Sequence, residues 1–337
     1  MWQVKGQDST LALLDHSLKE HAVAHAYLLV GPPHIGKRTL ALDLACALNC
    51  NDPDPPCGEC RSCHRIAEGK HADVITLDLH ARTEIGIDDI RGLQHLAHLP
   101  PYEGSRKVLI IEDAECMSTE AANSLLKILE EPPPHLVWLL LAAEEARLLP
   151  TVVSRCQRLE LRPLAPAQIE SILTADYGVQ PDRAEFLARL SNGCLGWALS
   201  AMSDDGLLDR RSREIDSLNS LLTAGLDQRF AFAKELAAQF TQNRRAAMET
   251  MTTWLAWWRD LLLVAGECKS AIISVDYEQV LQGEAKGLGL ARIRDAIAGL
   301  YLAKEEISRN VSPRLVLDAL MLDMPRLKAS NDRHTRA

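Results

Sequence analysis

The sequence predicts an α/β domain built on a parallel sheet, followed by a small helical domain and a larger all-α domain. Three observations carry that reading. Strand-like and helix-like apolar patterns alternate through residue 162. Several of the strand-like runs are apolar without interruption, as in strands covered on both faces. After Pro163 and Pro166 the strand signals fade and helical periodicity takes over.

Taken in order, Leu11–Lys19 carries apolar residues at helical spacing, and Ala26–Val30 is a short apolar strand ending in Gly31. Thr39–Leu48 is helical again. Val74–Leu79 reads as a strand, Ile87–Leu99 as an amphipathic helix and Val108–Ile111 as a buried strand. Ser118–Glu131 is the next helix, with Ser118 or Thr119 as N-cap and Pro132–Pro134 as its stop. Leu136–Ala143 is a continuous apolar strand, and Arg158–Leu161 a short one. Beyond it, Ala167–Ala175 and Asp182–Leu190 are short helices, and the glycines of Ser191–Gly196 set them apart from the next helical segment. The pattern from Leu207 to Leu327 is helical throughout. The expected division is therefore 1–162, 163–203 and 204–327, with a polar tail at 328–337.

Composition bounds the function. Of 337 residues, 37 are Lys or Arg and 46 Asp or Glu, giving a formal charge of −9. That balance argues against a broad basic face for coating nucleic acid or an anionic membrane. The apolar run Leu136–Ala143 is far shorter than the roughly 20 residues a bilayer span needs. Met1–Thr10 shows no charged-then-apolar leader. A cytoplasmic protein is expected. Scattered cations at Lys5, Lys19, Arg61, Arg65, Lys70 and Arg91 do not define a DNA site.

Gly31-Pro32-Pro33-His34-Ile35-Gly36-Lys37 lies between an apolar strand and a helix, the setting a phosphate-binding loop requires. Gly31 and Gly36 let backbone N–H groups turn toward an anion, the helix N-terminus adds partial positive charge, and Lys37 supplies a point charge for the outer phosphates. The next position should carry a hydroxyl for magnesium but is Arg38, and Thr39 lies one residue on, rotated by about 100° on a helix. Strand Val108–Ile111 ends in Glu112-Asp113, where phosphate-loop ATPases place an acid near the metal and another that orients water. These acids are either remnants of that pair in swapped order or solvated acids capping a strand. ATP or ADP binding is compatible with this loop, whereas magnesium has lost its side-chain anchor.

Nine cysteines are present, and Cys50, Cys57, Cys60 and Cys63 crowd into one stretch. Four thiolates at these spacings suit a closed tetrahedral zinc site, and Pro53, Pro55, Pro56 and Gly58 make the stretch a knuckle that metal would stabilise. An iron–sulfur cluster or redox thiols are the other options. Cys46, one helical turn before Cys50, could compete for the fourth position, while His64 and His71 read as bystanders. Cys116, Cys194 and Cys268 are expected to be small core residues. The stripe of Trp254, Trp257 and Trp258 suits a bundle core or a subunit interface better than a base-stacking platform.

His25–Leu28, the phosphate loop, the cysteine cluster, Tyr102–Val108, Ala121–Pro133 and Ser154-Arg155-Cys156 together resemble the clamp-loader subunits of bacterial DNA polymerase III, which are AAA+ proteins. The resemblance spans about the first 200 residues. It implies an AAA+ domain with an inserted zinc module at about 50–63, a lid domain and an oligomerisation collar. It also implies gamma/tau and delta subunits as partners, with transient or indirect contact to the sliding clamp and contact to primer-template DNA through the assembled complex.

Within the family the gamma/tau motor hydrolyses ATP, while another subunit shares its shape without driving hydrolysis. The missing hydroxyl after Lys37, the swapped acids, Ala142-Ala143 where the motor has a Thr pair, and Gly196 where its lid Arg would fall all depart from the motor. In the family, the Arg of Ser-Arg-Cys is an arginine finger that reaches a neighbour's ATP site, and that position here is Arg155. Two other readings stand beside this one. They are an active gamma/tau-type ATPase, supported by Gly36-Lys37 and both acids, and a stand-alone nucleic-acid-binding protein, which the acidic composition disfavours.

Overall fold

The three central strands form because their residues lose both faces to packing. In the computed structural model, which describes residues 2–79, 84–309 and 311–327, β1 (Ala26–Val30), β3 (Lys107–Ile111) and β4 (Leu136–Ala142) are buried at every position. Helix α1 (Asp8–Lys19) precedes β1, and α2 (Lys37–Asn49) and α3 (Arg61–Ala67) come after it. β2 (Val74–Leu77) leads to α4 (Ile87–His98) before β3, and α5 (Thr119–Glu130) joins β3 to β4. A short α6 (Pro150–Val153) precedes β5 (Gln157–Glu160). All strand pairs are parallel, in the order β2-β3-β4-β1-β5, with Tyr27 between Leu139 and Gln157.

Alternation along β1 divides the core. Ala26, Leu28 and Val30 pack with Leu109, Ile111, Trp138 and Leu140 against Ile90 and Leu93 of α4 and Leu125 and Ile128 of α5. Tyr27 and Leu29 face the other way, onto Leu40 and Leu44 of α2 and Ile66 of α3. Each such fully buried aliphatic side chain stabilises by roughly 1.5–3 kcal/mol relative to exposure. Ser118 caps α5 as expected, its Oγ accepting from the Ala121 amide at 3.1 Å.

The chain divides into two compact units. One takes the chain through Ile172 together with Gly193–Trp197, and the other takes Leu173–Asn192 and the chain from Ala198 onward. Helices α7 (Pro166–Tyr177), α8 (Pro181–Leu190) and α9 (Leu195–Ser203) fill the stretch where these exchange. The second unit continues with α10 (Asp205–Thr223), α11 (Leu226–Gln242), α12 (Arg244–Ala265), α13 (Glu278–Leu288), α14 (Leu290–Ser308) and α15 (Pro313–Asp323). Trp254, Trp257 and Trp258 are fully buried in its core beside Met251, Leu261 and Leu300. Their spacing on α12 puts all three indoles on its inner side. One expectation fails. Cys268 is exposed, because it lies past the Gly266 end of α12 in a turn where Glu267 has φ 61°. Cys194 is buried and Cys116 half-buried. The tail at 328–337 lies outside the described residues.

Candidate functional site

The parallel sheet sets the site, since the order β3-β4-β1 brings three C-terminal strand ends side by side. From β1 the chain enters the phosphate loop. Gly36 caps α2 with φ 108°, a conformation that side chains other than glycine rarely take. Lys37 opens α2 and donates through Nζ to the carbonyls of Gly31 at 2.6 Å and Pro32 at 3.0 Å. Thr39 is half-buried two residues further along α2.

From β3 the chain delivers Glu112 and Asp113, the latter in a left-handed conformation at φ 49°. Glu112 meets the residue that follows Lys37: its Oε1 lies 3.1 Å from Arg38 Nε, with the Glu112 side chain 18% exposed and that of Arg38 65% exposed. From β4 come Ala142 and Ala143. The Ala143 amide donates to Glu115 Oε1 at 2.8 Å. Burial pushes the Glu115 carboxyl above its usual range, offset in part by the Ala143 amide and by the nearby charge of Lys37. Sequence reasoning missed Glu115. Its signal was weak, a single acid three residues past Glu112 in a turn. Gly196 closes the loop from another side, its N–H donating to the His34 carbonyl at 3.0 Å. A Cβ at Gly196 would sit 2.6 Å from that oxygen, so the position excludes any larger side chain without a shift of the loop.

Arg155 is placed elsewhere in the same unit, just past α6. Its Nε donates to Glu130 Oε1 at 3.1 Å and its Nη1 to the Thr151 carbonyl at 2.8 Å. Glu130 is the last residue of α5, so the guanidinium is anchored at a helix end with its side chain 33% exposed. Cys156, next in the chain, is half-buried, and desolvation pushes its thiol up to about 12, which keeps it inert.

At the other end of α2 the four predicted cysteines come together. Cys50 is the C-cap of α2 and Cys60 the N-cap of α3, with its sulfur accepting from the Cys63 amide. The sulfurs of Cys50, Cys57, Cys60 and Cys63 all lie within 4.8 Å of one another, with Cys50 to Cys57 at 3.4 Å, Cys50 to Cys60 at 3.9 Å and Cys57 to Cys63 at 4.0 Å. Ligands about 2.3 Å from a tetrahedral zinc ion stand about 3.8 Å apart, so this donor set fits the ion. Desolvation raises the Cys60 thiol, yet the Cys63 amide and the neighbouring sulfurs outweigh it and bring Cys60 down to about 6.

Cys46 is not in the set. Its sulfur donates to the Cys63 carbonyl at 3.9 Å, and burial raises its thiol to about 11. His71 accepts the Asp73 amide at Nδ1 instead of facing the sulfurs. Beside it, buried Asp73 accepts the amides of Tyr102, Glu103 and Gly104 at 2.7–2.8 Å and fixes the loop before β3.

Residues 6–165 match the family described as DNA polymerase III, delta subunit. The chain is 30% identical to DNA polymerase III subunit delta' of Bacillus subtilis, over 94% of this chain and 95% of that protein. It is 38% identical to subunit delta' of Pseudomonas aeruginosa, over 59% of this chain and 62% of that protein. With subunit tau of Bacillus subtilis it shares 31% identity over 76% of this chain but only 46% of that protein. No helix among the described residues is long and apolar enough to cross a membrane.

Proposed function

The chain belongs to the delta prime subunits of the bacterial DNA polymerase III clamp loader, AAA+ proteins, and from that premise we propose that it serves the loader by lending Arg155 to a neighbour while hydrolysing little ATP itself. The observation that carries this reading is the contrast between two arginines. Arg38 pairs with Glu112 within its own phosphate-loop site, its side chain 65% exposed. Arg155 stands partly exposed and braced by Glu130 and Thr151, so little side-chain entropy is lost when it meets a phosphate.

In this reading gamma/tau and delta subunits are its neighbours, and the sliding clamp and primer-template DNA meet it through the assembled complex. Residues 163–203 act as lid and 204–327 as collar. Zinc would be held by Cys50, Cys57, Cys60 and Cys63 and would supply structure, not chemistry. Gly31, Gly36, Lys37, Thr39, Glu112 and Asp113 are then a degenerate nucleotide site.

An arginine finger is worth roughly 10³ to 10⁵ in rate at the site it completes. Arg155→Ala in a reconstituted loader should therefore silence one motor site and lower DNA-stimulated ATP turnover, with assembly intact by gel filtration. Unchanged turnover in the intact assembly would remove this role. The competing reading, an active gamma/tau-type ATPase, draws on Lys37 and would be favoured by steady phosphate release from the chain without partners.

A further inference from the structure

The donor set on the metal side of the phosphate loop does not fit magnesium. Magnesium needs oxygen ligands at about 2.0–2.1 Å in near-octahedral order, and in phosphate-loop enzymes the hydroxyl after the lysine and an acid from the adjacent strand help to hold it. The same two positions here hold Arg38 and Glu112, 3.1 Å apart. A guanidinium cannot lose its proton at any accessible pH and offers no lone pair to a metal. Its positive charge beside Glu112 repels a second cation. The Glu112 side chain, 18% exposed, is the fixed partner, whereas that of Arg38, 65% exposed, keeps the freedom to meet phosphate oxygens with its remaining N–H groups.

We infer that Arg38 is a built-in replacement for the magnesium ion, so that this loop takes the phosphate chain of a nucleoside di- or triphosphate without a divalent cation. The inference goes beyond the weak-ATPase reading and gives it a cause: a fixed monovalent cation can neutralise phosphate but cannot do all that the divalent metal does for transfer of the outer phosphoryl group.

The test measures ADP and ATP binding to the full chain by calorimetry, with and without added magnesium. No chelator is used, so that the cysteine module keeps its metal. The wild-type affinity should change by less than about twofold on adding magnesium, while Arg38→Thr and Arg38→Ser should each gain about tenfold or more with it. A wild-type affinity that rises tenfold with magnesium overturns the inference, as do variants indifferent to the ion. Steady partner-free ATP turnover with magnesium present, at a nucleotide affinity the ion leaves unchanged, would instead sink the weak-ATPase reading and leave the binding inference standing.

Discussion

Asp73 and Glu284 are carboxyls of opposite sign in their effect on stability. Asp73 is fully buried, and desolvation alone would raise it, but three amides and Lys107 hold it below its ordinary value. Its contribution is present above the unfolded value of about 3.9 and is lost as pH falls through the lower folded one. Glu284 accepts the Trp257 indole at 3.3 Å, and desolvation pushes it up to about 7. The folded state then holds the proton more tightly, so stability present below about pH 4.3 is lost as pH rises toward 7. Glu284→Gln should stabilise the protein by about 1–2 kcal/mol at pH 8 and change it little at pH 4. Urea midpoints of the two proteins at both pH values decide it, and equal differences at the two would refute the account.

Among the elements, the strands were the most legible, because β1 and β4 are unbroken apolar runs, β1 ending at Gly31 and β4 starting just after Pro132–Pro134. Helix α3 was not. It buries only Cys63 and Ile66, and its start is set by the Cys60 sulfur accepting an amide, a product of the cysteine geometry that leaves no periodic trace. The clustering of the four cysteines was readable from spacing. The partners of Arg38 and Glu115 were not, since they depend on β3, β4 and β1 being neighbours, an order the chain does not spell out locally. If the module is a zinc site, the purified chain holds one zinc, and Cys57→Ser loses it. Because a structural zinc supplies on the order of 10 kcal/mol in small modules, that variant should also lower Tm by about 5 °C or more. A variant that melts like the parent, metal-free, would show the cluster to be something else.

At the scale of the whole molecule, each unit has its own core, and helical periodicity revealed the tryptophan stripe of the second. What periodicity could not reveal is Arg229. It is 1% exposed, and its guanidinium donates to the carbonyls of Leu221, Met321, Met324 and Pro325, tying the ends of α10 and α15 together. Arg229→Met would remove the guanidinium from all four carbonyls, of which that of Leu221 keeps the Ala224 amide as a donor, and should cost about 3 kcal/mol or more. Tryptophan fluorescence in urea reports that loss directly, and an unmoved midpoint would show that water or other donors replace the guanidinium. Three of the four oxygens lie 92 to 96 residues downstream. At ribosomal speeds of about 5–20 residues per second, roughly 5 to 20 s pass between the making of this cation and the arrival of its last acceptors. Until then its charge must stay in water, and the nascent helical bundle cannot seal.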